Sequence, residues 1–83
     1  MNEQEILQAV RDGLAEIKVE GAEDATMDTT WRDLDVDSLD LVELVRILED
    51  RYDVRIADEK LEGVGSVGDA VRLIAELRQT ATA

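Results

Sequence analysis

The chain has 83 residues and a net charge of -12, from 21 acidic and 9 basic side chains, and it contains neither histidine nor cysteine. So acidic a protein would be repelled by nucleic acid and anionic lipid, and the missing residue types exclude serine–histidine catalysis, thiolate catalysis and disulfides. The length suits one small domain over residues 1–83, and an apolar content of 45% indicates a globular chain.

No membrane span or export signal is predicted. No apolar run approaches the roughly 20 residues that a span requires, and the N-terminus lacks a basic segment followed by an apolar one. We therefore expect a cytoplasmic protein, monomeric, whose partners present lysine and arginine.

The first predicted helix spans about residues 3–19. Asn2 and Glu5 have the offset of a capping box at its start. Its apolar positions recur on one face: Ile6, Leu7, Val10, Leu14 and Ile17. Gly13 lies inside the helix at a cost of about 1 kcal/mol relative to alanine, which packing has to offset.

Residues 20–37 show no periodicity but contain several apolar side chains. So long a connection is unusual in a small domain, and we expect an ordered loop that packs on the core, with Trp31 as a core anchor without further function.

The second helix is predicted over about residues 38–52, with Ser38 or Asp37 as the N-cap. At 100° per residue its core face holds Leu41, Leu44, Val45, Leu48 and Tyr52. The opposite face carries an outer stripe of Leu39, Glu43, Arg46 and Asp50, with Asp40 and Ile47 beside it. This stripe faces solvent or a partner.

The remaining chain predicts two more helices. Residues 54–56 alternate like a strand but have no second strand to pair with, so a loop is expected. A short helix at about 58–62 and a last helix at about 67–79 follow, and residues 80–83 are expected to form a frayed tail. The fold class is all-α: a small four-helix bundle of three longer helices and one short one, with a long ordered loop between helices one and two.

Ser38 is flanked by carboxylates at the start of the second helix. It has two interpretations: it only caps the helix, or it is a modification site whose chemistry a partner supplies, because the chain offers no histidine base. The exposed Leu39 beside it suits a docking surface and favours the second.

Asp33, Asp35 and Asp37 alternate like the first ligands of an EF-hand loop. Position six of that loop requires glycine and holds Ser38, and position twelve requires glutamate and holds Leu44. We therefore expect no metal site and, without histidine or cysteine, no catalytic residues.

The segment from Leu34 to Leu44, with Asp-Ser-Leu before a helix containing Val-Glu, resembles the signature of acyl carrier proteins. The segments 48–56 and 64–70 resemble the family's second-helix end and last-helix start. The resemblance implies a non-catalytic four-helix carrier whose serine, matched by Ser38, receives 4'-phosphopantetheine from coenzyme A through a phosphopantetheinyl transferase. Asp37 and Leu39 match the residues beside the attachment point.

Such a carrier holds acyl groups as thioesters and delivers them to fatty-acid or polyketide enzymes, including acyltransferases and ketosynthases with basic surfaces. The positions that match the family's partner surface are Leu39, Asp40, Glu43, Arg46, Ile47, Glu49 and Asp50. Arg46 and Arg51 depart from the family pattern and favour a dedicated carrier for a polyketide or other secondary-metabolite pathway as a competitor to housekeeping fatty-acid synthesis. Two alternatives remain: an aminoacyl or peptidyl carrier of nonribosomal synthesis, and an acidic helical adaptor that is never modified.

Overall fold

Four helices form most of the chain between residues 3 and 81, the part that the computed structural model describes. Helix α1 spans Glu3–Glu16, α2 spans Ser38–Tyr52, α3 spans Asp58–Leu61 and α4 spans Val67–Ala81. A 3-10 turn at Ala22–Asp24 interrupts the long connection between α1 and α2. No strand is present among these residues, and the predicted all-α bundle is confirmed.

Helix α1 ends at Glu16, three residues before the predicted end, because Lys18 takes a left-handed backbone with φ 64°. The Lys18 amide bonds to the carbonyl of Ala15 at 3.0 Å, and the Val19 amide bonds to that of Leu14 at 2.9 Å. This is a Schellman motif, which ends a helix by pairing its last carbonyls.

At the other end of the chain, α4 continues to Ala81. Residues 80 and 81 are therefore helical, and the predicted tail is wrong for them. Residues 82–83 lie outside the described part of the chain, as does Asn2, the predicted cap of α1.

The three long helices enclose one apolar core. Its largest fully buried side chains are Ile6, Val10, Leu14, Leu44, Leu48, Val67, Val71 and Ile74. Gly13 faces α2, and a Cβ atom at this position would lie 2.7 Å from Leu44 Cδ1. The glycine thus allows α1 and α2 to pack closely, which compensates for its low helix propensity.

The long loop is fixed to the start of α4 by backbone hydrogen bonds. The Val67 amide donates to the carbonyl of Thr29 at 2.8 Å, and the Gly68 amide donates to that of Met27 at 2.9 Å. These two amides belong to the first turn of α4, where the helix itself offers no acceptor. The same two hydrogen bonds therefore order the loop and satisfy the first amides of α4.

Trp31 is the anchor of this loop, with 7% of its surface exposed. Its indole Nε1 donates to the carbonyl of Val64 at 3.1 Å, and its backbone amide donates to that of Gly65 at 3.3 Å. The carbonyl of Trp31 accepts from the Val36 amide at 2.9 Å, just before α2. One residue, through its side chain and its backbone, therefore joins the entry to α2 with the turn between α3 and α4.

Candidate functional site

The start of α2 is closed by Asp37, which is the N-cap. Its Oδ1 accepts a hydrogen bond from the Asp40 amide at 2.9 Å, and Asp40 Oδ2 accepts one from the Asp37 amide at 3.5 Å. The pair forms a capping box made of two aspartates. Of the two predicted cap residues, Asp37 therefore takes the role and Ser38 does not.

Ser38 is the first helical residue of α2 and is exposed. Within residues 3–81 its hydroxyl makes no hydrogen bond, since Asp37 does the capping. The amides of Ser38 and Leu39 lie in the first turn, where helical amides have no intrahelical acceptor and favour a nearby anion. A phosphate attached to Ser38 would therefore meet free donors, with the carboxylates of Asp37 and Asp40 opposing it.

The outer stripe of α2 is exposed as predicted. Leu39 is 77% exposed, and Glu43, Arg46 and Asp50 follow it along the same face. Val42, one turn after Leu39, is 44% exposed and was not singled out from the sequence. Its position three residues after Leu39 is the signal that indicates a shared surface. The two apolar side chains and the charged ones together form a mixed face suited to a protein partner.

Three of the predicted partner residues are engaged within the chain. Asp40 belongs to the capping box, and Glu49 Oε2 accepts a hydrogen bond from the Ile56 amide at 2.8 Å. Ile47 is half-buried beside α1, and its Cγ2 would lie 3.6 Å from a Cβ atom on Gly13. The free charges on α2 that a partner can reach are therefore those of the outer stripe.

An apolar seam runs between α2, α3 and α4. It is lined by Leu41, Leu44, Val45, Leu48, Ile56, Leu61, Val64, Ala70, Leu73 and Ile74, and its free volume is about 10 Å³. This volume corresponds to about one water-sized probe. Leu41 lies one turn from Ser38, so the seam begins close to the exposed hydroxyl.

A separate cleft lies at the other end of α2, lined by Glu5, Gln8, Arg51, Tyr52 and Arg78. Burial raises the pKa of Tyr52 above its usual value; the Arg51 charge acts in the opposite direction. Arg78 Nη1 donates to the carbonyl of Tyr52 at 3.0 Å, and Arg51 pairs with Asp12 at 3.6 Å. The arginines of this cleft thus hold α2 against its neighbours.

Among the side chains that the structure describes, no group of three or more acidic residues is arranged to hold a metal ion. In the same range, no helix has the length and apolarity to cross a membrane.

Comparison with known proteins identifies close relatives over most of the chain. The model of a family described as phosphopantetheine attachment site matches residues 6–74. An acyl carrier protein of Prochlorococcus marinus (strain MIT 9515) is 45% identical over 75 residues, which cover 89% of this chain and 94% of that protein. The crystal structure of an acyl carrier protein from Thermotoga maritima matches with a TM-score of 0.67 at 25% identity, over 87% of this chain and 94% of the other.

Proposed function

Since the chain belongs to the acyl carrier proteins with a phosphopantetheine attachment site, we propose that Ser38 is its attachment residue. The carrier function itself is confirmed, as are its non-catalytic nature and its covalent 4'-phosphopantetheine. The observation that carries the proposal for Ser38 is its exposed hydroxyl, free of internal hydrogen bonds within residues 3–81, at a helix start capped by Asp37.

The chain's part in attachment is to present this hydroxyl. It supplies no histidine to remove the proton from Ser38, so the transferase must provide the base while coenzyme A provides the phosphopantetheine. The first-turn amides of Ser38 and Leu39 favour the new phosphodiester. Once attached, the arm supplies a thiol that holds the acyl group as a thioester, which accounts for a carrier without cysteine.

The apolar seam is the candidate site for the acyl chain of a loaded carrier. We propose that this acyl chain enters the apolar seam, because the seam is lined by apolar side chains and begins one turn from Ser38. Burial of each methylene group contributes about 0.8 kcal/mol. The seam is closed at about 10 Å³, so its walls must separate to admit the chain.

A carrier function implies docking on biosynthetic enzymes. We propose that phosphopantetheinyl transferase, acyltransferases and ketosynthases bind the outer stripe. Glu43 and Asp50 are exposed and can pair with basic side chains, while Leu39 and Val42 offer apolar contact. Asp40, Ile47 and Glu49 stay part of the proposed surface, but their internal contacts give them a supporting role.

The proposal extends to the setting of the protein. The chain acts as one carrier domain over residues 1–83, as a monomer in the cytoplasm, with fatty-acid or polyketide enzymes as partners. Its net charge of -12 supports partners with basic surfaces.

The test is modification of the purified chain by coenzyme A and a broad-specificity transferase, read by intact-protein mass spectrometry. We expect the mass of one phosphopantetheine group to be added. Ser38→Ala should abolish the addition, while Ser66→Ala, at the chain's other serine, should leave it unchanged. Addition to the Ser38→Ala variant would refute the assignment, and no addition to the unaltered chain would favour an unmodified adaptor.

A further inference from the structure

One side of the apolar seam is a thin wall formed by residues 54–65. Ile56, Leu61 and Val64 line the seam from this wall. Its only helix among the described residues, α3, has four residues, and the N-cap Ala57 provides no side-chain hydrogen bond. So short and uncapped a helix is unstable by itself, so the position of the wall depends on contacts with the rest of the protein.

Three side chains from outside the wall bind its backbone. Asp69 Oδ2, on α4, accepts from the Gly65 amide at 3.1 Å in an exposed hydrogen bond. The other two bonds lie one near each end of the wall. Glu49 Oε2, on α2, accepts from the Ile56 amide at 2.8 Å. Trp31 Nε1, in the loop before α2, donates to the Val64 carbonyl at 3.1 Å. Both hydrogen bonds are partly buried, where they are stronger than in water.

The residues held by these two bonds are also residues that line the seam. Ile56 and Val64 each present a side chain to the cavity while a backbone atom is fixed by Glu49 or Trp31. An outward movement of the wall that enlarges the seam from about 10 Å³ therefore stretches both bonds.

We propose that Glu49 and Trp31 are positioning residues that hold the wall closed and so limit the length of acyl chain that the seam accepts. The inference rests on the proposed function, because it concerns an acyl group delivered from the arm on Ser38. A short chain needs little opening, whereas a long chain must separate the wall from α2. Weakening either bond therefore favours burial of long chains only.

The experiment treats the unmodified chain with a broad-specificity transferase and butyryl or dodecanoyl coenzyme A, so that the acylated arm is transferred to Ser38 and adenosine 3',5'-bisphosphate is released. It then measures cleavage of the thioester by hydroxylamine, which a buried acyl chain slows. In Glu49→Ala, dodecanoyl cleavage should be about tenfold slower than in the unaltered carrier, since hydrogen bonds to charged groups are the stronger ones. In Trp31→Phe, which keeps an aromatic side chain and removes the donor, dodecanoyl cleavage should be about fivefold slower. Butyryl cleavage should not change.

Two further variants provide controls. Glu49→Gln keeps a neutral acceptor and should give an intermediate effect. Glu16→Ala removes an exposed carboxylate from α1, outside the proposed docking surface, and in the described structure that carboxylate holds no part of the wall. It should behave as the unaltered carrier.

The outcomes separate the two proposals. Failure to load Ser38 at all would refute the proposed function. Normal loading with an unchanged ratio of dodecanoyl to butyryl cleavage, or with faster cleavage of both chains, would overturn the roles of Glu49 and Trp31 alone. Circular dichroism of each variant establishes that it is folded before the rates are compared.

Discussion

Replacement of Gly68 should most directly disturb the packing of the long loop against the start of α4. A Cβ atom at this position would lie 2.5 Å from the carbonyl oxygen of Met27 and 3.3 Å from its carbonyl carbon. Carbon–oxygen contacts are normally about 3.3 Å or longer, so the carbonyl would have to move by about 0.8 Å. That carbonyl is also the acceptor of the Gly68 amide at 2.9 Å, and the movement would weaken the bond.

We expect Gly68→Ala to destabilise the protein by about 2 kcal/mol. Overpacking against fixed backbone costs about 1–3 kcal/mol, and a weakened hydrogen bond about 1 kcal/mol. The better helix propensity of alanine returns at most about 1 kcal/mol. Domains of this length have a free energy of unfolding of about 4–12 kcal/mol, so this loss is a large part of it. For a domain of this size, it corresponds to a fall in melting temperature of about 10 °C.

The assay is urea or thermal unfolding, followed by circular dichroism and by the fluorescence of Trp31, the chain's one tryptophan, which reports directly on the loop. Gly63→Ala is the matched control, because Gly63 is exposed and the nearest atom to an added Cβ, the Lys60 carbonyl oxygen, lies 3.9 Å away. Equal stabilities for the two variants would contradict this prediction, because they would show that the loop adjusts with no loss of stability.

Three further predictions follow from the charges and from Tyr52. Glu43→Lys should slow transfer to a partner enzyme more than Glu3→Lys on α1 does; equal rates would exclude the outer stripe as the docking surface. Burial raises the pKa of Tyr52, so folding favours the neutral hydroxyl. The contribution of Tyr52 to the free energy of unfolding is therefore complete below about pH 10 and is lost as the pH rises further. In Tyr52→Phe, the free energy of unfolding by urea should no longer show this decline above about pH 10. Identical pH curves for the variant and the unaltered chain would contradict the prediction. Added salt should raise the melting temperature by screening the net charge of -12, and an unchanged temperature would count against self-repulsion.

Periodicity and motif spacing were sufficient to predict α2 and its surroundings. Its span of 38–52 follows from apolar residues every three or four positions, and the exposure of Leu39 and Glu43 follows from helix geometry alone. The motif around Ser38 also predicts the family, because the order of Asp, Ser and Leu before this helix is a local property of the sequence.

Other features depend on contacts between distant residues and could not be predicted in this way. The left-handed Lys18 that ends α1 has no glycine or asparagine to signal it. Ile47 is half-buried because α1 approaches at Gly13, 34 positions earlier in the chain. The bond from Glu49 to the Ile56 amide appears in the sequence only as one more acid on a charged helix.

The division of tasks between Asp37 and Ser38 bears on how the carrier is used over its lifetime. Since Asp37 caps α2 and the Ser38 hydroxyl contributes nothing to the cap, an arm attached at Ser38, as we propose, can be added or removed without taking a stabilising bond from the fold. Carriers with and without the phosphopantetheine arm should therefore have similar melting temperatures. The unmodified carrier can then remain folded and be modified when it is needed, with no refolding step.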